Sequence, residues 1–397
     1  DSAFSQTTFS RPFVSPDGTL VGFRGDLEQS GTFFDDAIVV APIASPQSGF
    51  AIQEGFAIGP DLSVAFDQHV NVTNAGTIAF TGRSRSGTLT NPGDLFFTFD
   101  GATTAVLAET GTTVNEGTLA ANSINSAYLA ATGAIGYQAF LEQASVDEQA
   151  RVLFGGATLA AAGNTPAGAP AATAVFEFET THFGNNGQSF LTQARSFPPN
   201  RTVDTLIVNG DVELVGGQAI PGSTLTSPLV DTGPSYAAMN EAGMWFARGS
   251  LVDGTEYALV DGLVFAQDGD AISAGSSETW AEFDGISVDN LGNVVVLGVS
   301  STGEQVVVLN GEDELVREGD AVDLDGNGLF DDDLFIRDFS IDDLVLSTAG
   351  ELVFAARLED GSGAASGHAL LAVTVPEPAV GGLAVVGAAG LLFRRRR

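Results

Sequence analysis

Residues 323–333, DLDGNGLFDDD, gather oxygen ligands more densely than any other stretch of the chain. Asp323, Asp325 and Asn327 stand at positions 1, 3 and 5 of a calcium loop. Gly328 supplies the sharp turn at position 6, Leu329 would offer its carbonyl at position 7, and Asp331 falls at position 9. Position 12, where a bidentate acid is expected, is Leu334, so closure of the loop falls to Asp332 or Asp333. Carboxylates this close repel one another unless a cation sits among them. The spacing predicts a structural Ca2+ site ligated by Asp323, Asp325, Asn327, Leu329, Asp331 and Asp333, with a solvated acidic loop as the alternative.

Catalytic chemistry is poorly marked. His69, His182 and His368 are the three histidines and lie far apart, which reads as three structural residues. The chain holds no Gly-x-Ser-x-Gly elbow, no zinc-type histidine pair and no Gly-x-x-x-x-Gly-Lys phosphate loop. Fifty acidic residues could supply a pair for glycoside hydrolysis, but no pair stands out. Of the aromatics, 28 are Phe, and those following strand alternation, such as Phe80 and Phe354, read as core. Trp245 and Trp280 read as core in preference to sugar-stacking platforms. Residues 160–173, AAAGNTPAGAPAAT, read as a small-residue loop.

The elements that must carry these residues are set by an internal repeat. A polar residue, a short gap, a glycine and an alternating apolar run recur in SPDGTLVGF, TNAGTIAF, AATGAIGY, GNNGQSF, NEAGMWF, DNLGNVVV and STAGELVF. The glycines are Gly18, Gly76, Gly133, Gly187, Gly243, Gly292 and Gly350, at steps of 49 to 58 residues. An Asn, Asp or Ser opens a turn by bonding local backbone, and glycine takes the left-handed conformation that a β-carbon resists. The alternation that follows, as in Thr77-Ile78-Ala79-Phe80, is that of a strand. A second register, Gly55, Gly111, Gly163, Gly217, Gly269 and Gly319, follows short apolar runs at steps of 50 to 56.

Two strands around the first glycine and two leading to the second make four per unit. Seven such units predict an all-β, seven-bladed β-propeller over residues 1–372. The second register has one member fewer than the first, so the last unit is expected to lack a strand, supplied from upstream of Asp1 to close the ring.

The formal charge is −35, and every one of the 15 basic residues is arginine, four of them at the C-terminus. Such a surface repels nucleic acid and anionic lipid and favours cations. Cysteine is absent, which removes disulfide and thiolate chemistry. The last 23 residues, VPEPAVGGLAVVGAAGLLFRRRR, behave differently. Residues 379–393 carry no charge and as a helix would span ~22 Å, short of a ~30 Å hydrocarbon core that the arginines could reach by snorkelling. Arg394, Arg395, Arg396 and Arg397 would stay on the cytoplasmic side, which places the acidic domain beyond the inner membrane. Pro376, Glu377 and Pro378 break any helix entering from the domain and leave an extended segment.

Pro376-Glu377-Pro378, the short apolar span and the arginine block together resemble the PEP-CTERM sorting signal of Gram-negative bacteria. The resemblance implies a sorting tail at residues 373–397 with an apolar transmembrane helix, recognition by an exosortase, and export to the cell surface or an exopolysaccharide matrix. The repeats resemble the choice-of-anchor tandem repeat (NxxGxxAF) surface proteins; Asp289 and Ser347 depart from the Asn, and AATGAIGY lacks it. The function expected is that of a non-catalytic structural or binding protein of the bacterial envelope or matrix. Its partners would be an exosortase, exopolysaccharide and, transiently, the inner membrane, with no nucleic acid. The alternative is an extracellular polysaccharide-active enzyme on the same scaffold.

Overall fold

A computed structural model of the chain describes residues 4–9, 12–27, 36–45, 48–58, 61–85, 93–109, 111, 113–114, 117–120, 124–142, 150–169, 174–197, 203–324 and 328–375. The described strands fall into seven antiparallel sheets met in chain order. The first holds Phe4–Phe9 and Phe13–Val14, both pairing with Leu20–Leu27, then Asp36–Pro42 and Phe50–Gln53. The second holds Ala57–Ile58, Asp61–Val72, Ile78–Arg85, Gly93–Phe99 and Thr104–Glu109. A small ribbon, Thr113–Val114 with Gly117–Thr118, precedes the third: Asn125–Leu129, Ile135–Phe140, Ala150–Phe154 and Ala157–Ala161.

The fourth sheet is Ala174–Gly184, Ser189–Phe197, Val203–Val208 and Asp211–Val215, and the fifth Tyr236–Met239, Trp245–Ser250, Glu256–Val260 and Leu263–Gln267. The sixth is Trp280–Val288, Val294–Ser300, Gln305–Leu309 and Asp313–Arg317. The seventh has three strands among the described residues: Leu334–Leu346, Glu351–Asp360 and Ala365–Thr374. The fold is an all-β, seven-bladed β-propeller.

Each first-register glycine sits between the first and second strands of its sheet with φ between +72° and +89°. The turn residue three places earlier accepts the glycine N–H, at 2.9 Å for Thr73 and Gly76 and 3.0 Å for Asn240 and Gly243. Its side chain then accepts a backbone N–H at the start of the second strand: Thr73 from Thr77, Asn240 from Met244, Asp289 from Asn293, Ser347 from Glu351. Ala130, in the copy without a polar residue there, keeps the main-chain turn, with its N–H donating to the Ala134 carbonyl at 2.9 Å.

The second-register glycines also have left-handed φ, and they do more than end a strand. Gly163 N–H donates to the Val175 carbonyl at 2.7 Å, which ties the end of the third sheet to the first strand of the fourth; Gly319 does the same to Ile336 at the entry to the seventh. Residues 160–173 are correspondingly more than a loop. Ala160 and Ala161 complete a strand, and Ala167 bridges Asp211 on the outer strand of the fourth sheet.

The chain divides into two compact units, residues 54–266 and residues 1–53 with 267–397. In the first of these, phenylalanines provide much of the core: Phe56, Phe66, Phe80 and Phe97 stack or meet edge-on with centroids 5.2 to 6.3 Å apart. In the second, Val21, Phe23 and Val39 of the first sheet pack on Val353, Ala355, Leu370 and Ala372 of the seventh. The opposite face of the seventh sheet contributes Leu352, Phe354 and Leu371 to a core shared with Val295, Leu297 and Val307 of the sixth.

Middle strands are apolar on both faces because each blade is covered on both sides, so VVVLGVS and QVVVL read as continuous runs. Outer strands such as Asp313–Arg317 and Thr104–Glu109 face solvent and take the charges. Residues 376–397, including Pro376, Glu377, Pro378, Arg394, Arg395, Arg396, Arg397 and the expected apolar helix, lie outside the described residues. Among the described residues no helix is long and apolar enough to cross a membrane.

Two glycines of the same register separate backbone strain from crowding. A β-carbon at Gly133 (φ +82°) meets nothing within 4 Å, whereas one at Gly187 (φ +79°) would strike the Phe154 ring. Gly133→Ala is expected to cost ~1–2 kcal/mol for the left-handed backbone, and Gly187→Ala at least ~1 kcal/mol more for the displaced ring. Urea unfolding of both variants checks this, and equal losses would remove the Phe154 contact from the account.

Candidate functional site

The acidic loop connects the sixth and seventh sheets, between Asp313–Arg317 and Leu334–Leu346. Asp323 is 2% exposed, and its Oδ2 accepts the Gly328 N–H at 2.7 Å. Gly328 has φ +80°, so positions 1 and 6 of the predicted loop meet through the turn its glycine allows. Closure comes from Asp332, whose Oδ2 accepts the Leu324 N–H at 2.6 Å. Asp333 turns elsewhere, with φ +53° and its carboxylate lying where a β-carbon on Gly361 would reach. Leu329 and Asp331 are exposed. Asp325 and Asn327 lie outside the described residues, and among those described no three His, Asp or Glu side chains gather as a metal site.

Beside this loop lies a cavity of about 290 Å³ whose walls include Leu315, Val322, Phe330, Ile336 and Phe354, with Asp320 as its charged member. Burial pushes the Asp320 carboxyl up, and the Arg317 backbone N–H, donating to its Oδ2 at 2.8 Å, opposes that shift. The Arg317 side chain is held by three carboxylates: Glu278 at 3.1 Å, Glu304 at 2.9 Å and Glu314 at 2.8 Å. Bonding to Glu314, then to Glu304 and Glu278, keeps its guanidinium protonated well above the ordinary arginine range.

In the unit spanning residues 54–266, the first-register turns of the third, fourth and fifth sheets hold one another. Asn185 N–H donates to the Glu241 carbonyl at 2.7 Å, and Ala131 N–H to Asn186 Oδ1 at 3.2 Å. The Tyr128 hydroxyl donates to Glu241 Oε2 at 2.9 Å, and its ring stacks on Phe183 at 5.5 Å. Burial raises the Glu241 carboxyl while the Tyr128 bond lowers it; the Tyr128 phenol is driven up by burial and by the Glu241 charge. The pair is a strut between turns 113 residues apart in sequence.

A second arginine, Arg195 on the second strand of the fourth sheet, meets Glu177 at 3.1 Å, Glu179 at 2.5 Å and Asp204 at 3.7 Å. Asp204 is the farthest of the three from the guanidinium. Burial first and then Glu179 push it up to about 6, outweighing Arg195. Similar placement recurs at Arg83 beside Asp94 (3.5 Å) and at Arg357, whose Nε donates to Asp338. His368, opposite Arg357 in register, has its pKa lowered by burial and by that arginine.

Trp245 and Trp280 are buried in the core, Trp280 against Phe283 at 5.3 Å. His182 lies on the first strand of the fourth sheet, paired with Leu191, and His69 on the first strand of the second. The structure does not bring the three histidines into one described cluster.

Two recurring features were available in the sequence and are absent from the reading above. Asn209-Gly210, Asp261-Gly262 and Asn310-Gly311 form the hairpins between third and fourth strands, with left-handed φ at both residues. Each Asn or Asp accepts the N–H that opens the second strand: from Phe190 at 2.9 Å, Trp245 at 2.9 Å and Val294 at 2.8 Å. The Asn-Gly and Asp-Gly dipeptides are the signal for such hairpins. The second feature is an arginine on the second strand, at Arg24, Arg83, Arg195, Arg248 and Arg357.

No protein-family model matches the chain, and no curated protein matches it. Among solved structures it is similar to a puromycin hydrolase at 9% identity, with a TM-score of 0.47 over 93% of this chain and 59% of that one. It is similar also to the GH74 xyloglucanase from Xanthomonas campestris, at 12% identity with a TM-score of 0.40 over 97% and 59%. The C-terminal WD40 domain of Sif2 follows at 10% identity, with a TM-score of 0.32 over 94% and 99%. The chain thus spans less than two thirds of the length of the first two. No activity carries across at these identities.

The Asp204 shift has a measurable consequence. An aspartate in the unfolded chain titrates near ~3.9, so between about pH 4 and pH 6 the folded state holds this proton more tightly than the unfolded state does. Its contribution to stability is full below the unfolded value and is lost as pH rises through about 6. Unfolding free energy of the wild type minus that of Asp204→Asn is expected to fall across this window and level off above it. A difference that stays flat with pH would contradict the shift.

Proposed function

We propose that the chain is an exported, non-catalytic binding protein of the Gram-negative cell surface or exopolysaccharide matrix, sorted through its C-terminus by an exosortase. The observation that carries this reading is the three-part tail: Pro376-Glu377-Pro378, an uncharged apolar stretch and Arg394 to Arg397. In this reading the chain resembles the PEP-CTERM proteins, and its turns, headed by Thr73, Asn240, Asp289 and Ser347, resemble the NxxGxxAF surface repeats. A binding role, not hydrolysis, is supported by where the raised carboxyls lie. Asp204 belongs to the Arg195 cluster and Glu241 to the Tyr128 strut, so neither stands with a second acid as a glycosidase pair would.

Calcium enters the same proposal as a structural ion. The bond from Gly328 N–H to Asp323 supports a loop folded for cation binding, with Asp325, Asn327, Leu329 and Asp331 as further ligands and Asp332 more favourably turned than Asp333. Bound there, the ion would relieve the mutual repulsion of the carboxylates and fix the connection between the sixth and seventh sheets.

Two measurements test the proposal. Protein extracted from the surface of its own bacterium is expected to have a C-terminus that lacks Arg394–Arg397, as mass spectrometry of its terminal peptide would report; an intact arginine block on surface protein would refute processing. The purified chain is expected to be retained on the bacterium's exopolysaccharide, more strongly with Ca2+ than with a chelator, and Asp323→Asn should abolish the Ca2+ dependence. Shortening of the polymer during the assay would instead favour an enzyme.

A further inference from the structure

Arg151 breaks the pattern that the other arginines follow. It stands on a third strand, Ala150–Phe154, where it pairs in register with Ala139 and Ala161, and it is 8% exposed. One Nη donates to the Ala150 carbonyl at 2.9 Å. With Thr158, Leu159 and Asn164 it lines a cavity of about 450 Å³ along the outer strand of the third sheet. That volume is within the range of small-molecule sites, roughly 300–1,000 Å³. The described lining carries no acidic side chain, in a chain with 50 acidic residues. Thr158 Oγ1 is buried there and finds no hydrogen-bond partner among the described residues.

A buried hydroxyl without a partner costs stability, and a guanidinium kept from water is a strong, geometrically selective donor to a carboxylate. The other lining groups, the Asn164 amide and the main chain of residues 158–164, are those that meet sugar hydroxyls. We propose that this cavity binds the carboxylate of an acidic monosaccharide unit, with Arg151 on the carboxylate and Thr158 on a neighbouring oxygen. This inference rests on the matrix-binding role proposed above and names its ligand class. The protein's overall negative field opposes any anion at long range, so recognition has to come from contact inside the cavity.

Calorimetric titration of the full chain with D-glucuronate, D-glucose and acetate tests it. Glucuronate is expected to bind, with glucose and acetate much weaker. Thr158→Val should weaken glucuronate by about threefold to tenfold, the worth of one hydrogen bond, without lowering the melting temperature, because the hydroxyl it removes has no partner to lose. Arg151→Lys should weaken it further. The cavity is refuted if glucuronate does not bind, if acetate binds as well as glucuronate, or if Thr158→Val binds as the wild type does. Retention on polysaccharide without glucuronate binding would overturn this site and leave the matrix role standing. Glucuronate binding lost in Thr158→Val, in a protein that no polysaccharide retains, would uphold the site and overturn the matrix role.

Discussion

The entry to the second strand of each sheet is the constraint on which the architecture depends. There the chain must reverse within a few residues, and the reversal requires a left-handed backbone at one position, which glycine supplies in all seven copies. What makes the turn a fixed point and not merely a bend is the pinning of the strand that follows. In the sixth sheet the Asn293 N–H is bonded by Asp289 and the Val294 N–H by Asn310, so two turns from opposite ends of the sheet converge on the same two residues. The second strand thereby becomes the reference from which register spreads outward. A slip of one residue there would turn every buried valine of VVVLGVS to the wrong neighbour.

The same strand solves an electrostatic problem. A chain with 50 acids and no lysine has to fold without bringing carboxylates together uncompensated. An arginine on the second strand sits between the first and third, where one planar guanidinium can reach acids on both, as Arg195 reaches Glu177, Glu179 and Asp204. Compensation is incomplete by design of the geometry. With three acids around one cation, the acid left farthest from the guanidinium and partly buried keeps its proton to higher pH, which is why Asp204 titrates apart from ordinary aspartates. Charges without such cover are left to outer strands and loops, where water screens them.

Much of this was legible in the residues. Glycines at a near-constant step, each followed by alternating apolar residues, gave the sheet number and the position of every first turn, because a left-handed position and a strand period are both local properties. The pairing of Gly163 with Val175 or Gly319 with Ile336 was not, since a glycine's own conformation does not say which distant carbonyl its N–H will meet. Nor was the strut between Tyr128 and Glu241, or the exchange of Asp333 for Asp332 at the acidic loop; both depend on how side chains fall once sheets have packed. The arginine register was available, but one residue per fifty, with offsets from the turn that vary by bulges in the strands, leaves no fixed spacing to find.

A repeat explains what repeats. Turn glycines, valine-rich middle strands and second-strand arginines answer to folding, so they carry little information about what the molecule binds. The departures are more informative, because a sequence that breaks its own rule accepts a local cost that the fold does not require. The third sheet has Gln138 on its second strand, buried and donating to the Phe178 carbonyl, in the strand where the first, second, fourth, fifth and seventh sheets carry an arginine. Its arginine has moved to the third strand, to Arg151, the one described arginine found on such a strand, away from the acids that would neutralise it in the ordinary place. The acidic connection before the seventh sheet is a departure of the same kind, in that 16 residues separate Arg317 from Leu334 where five separate Val72 from Ile78 within a repeat turn. Both departures place charge where packing alone would have put none, and in both the groups set apart are complementary to an ion: a guanidinium in one, carboxylates in the other.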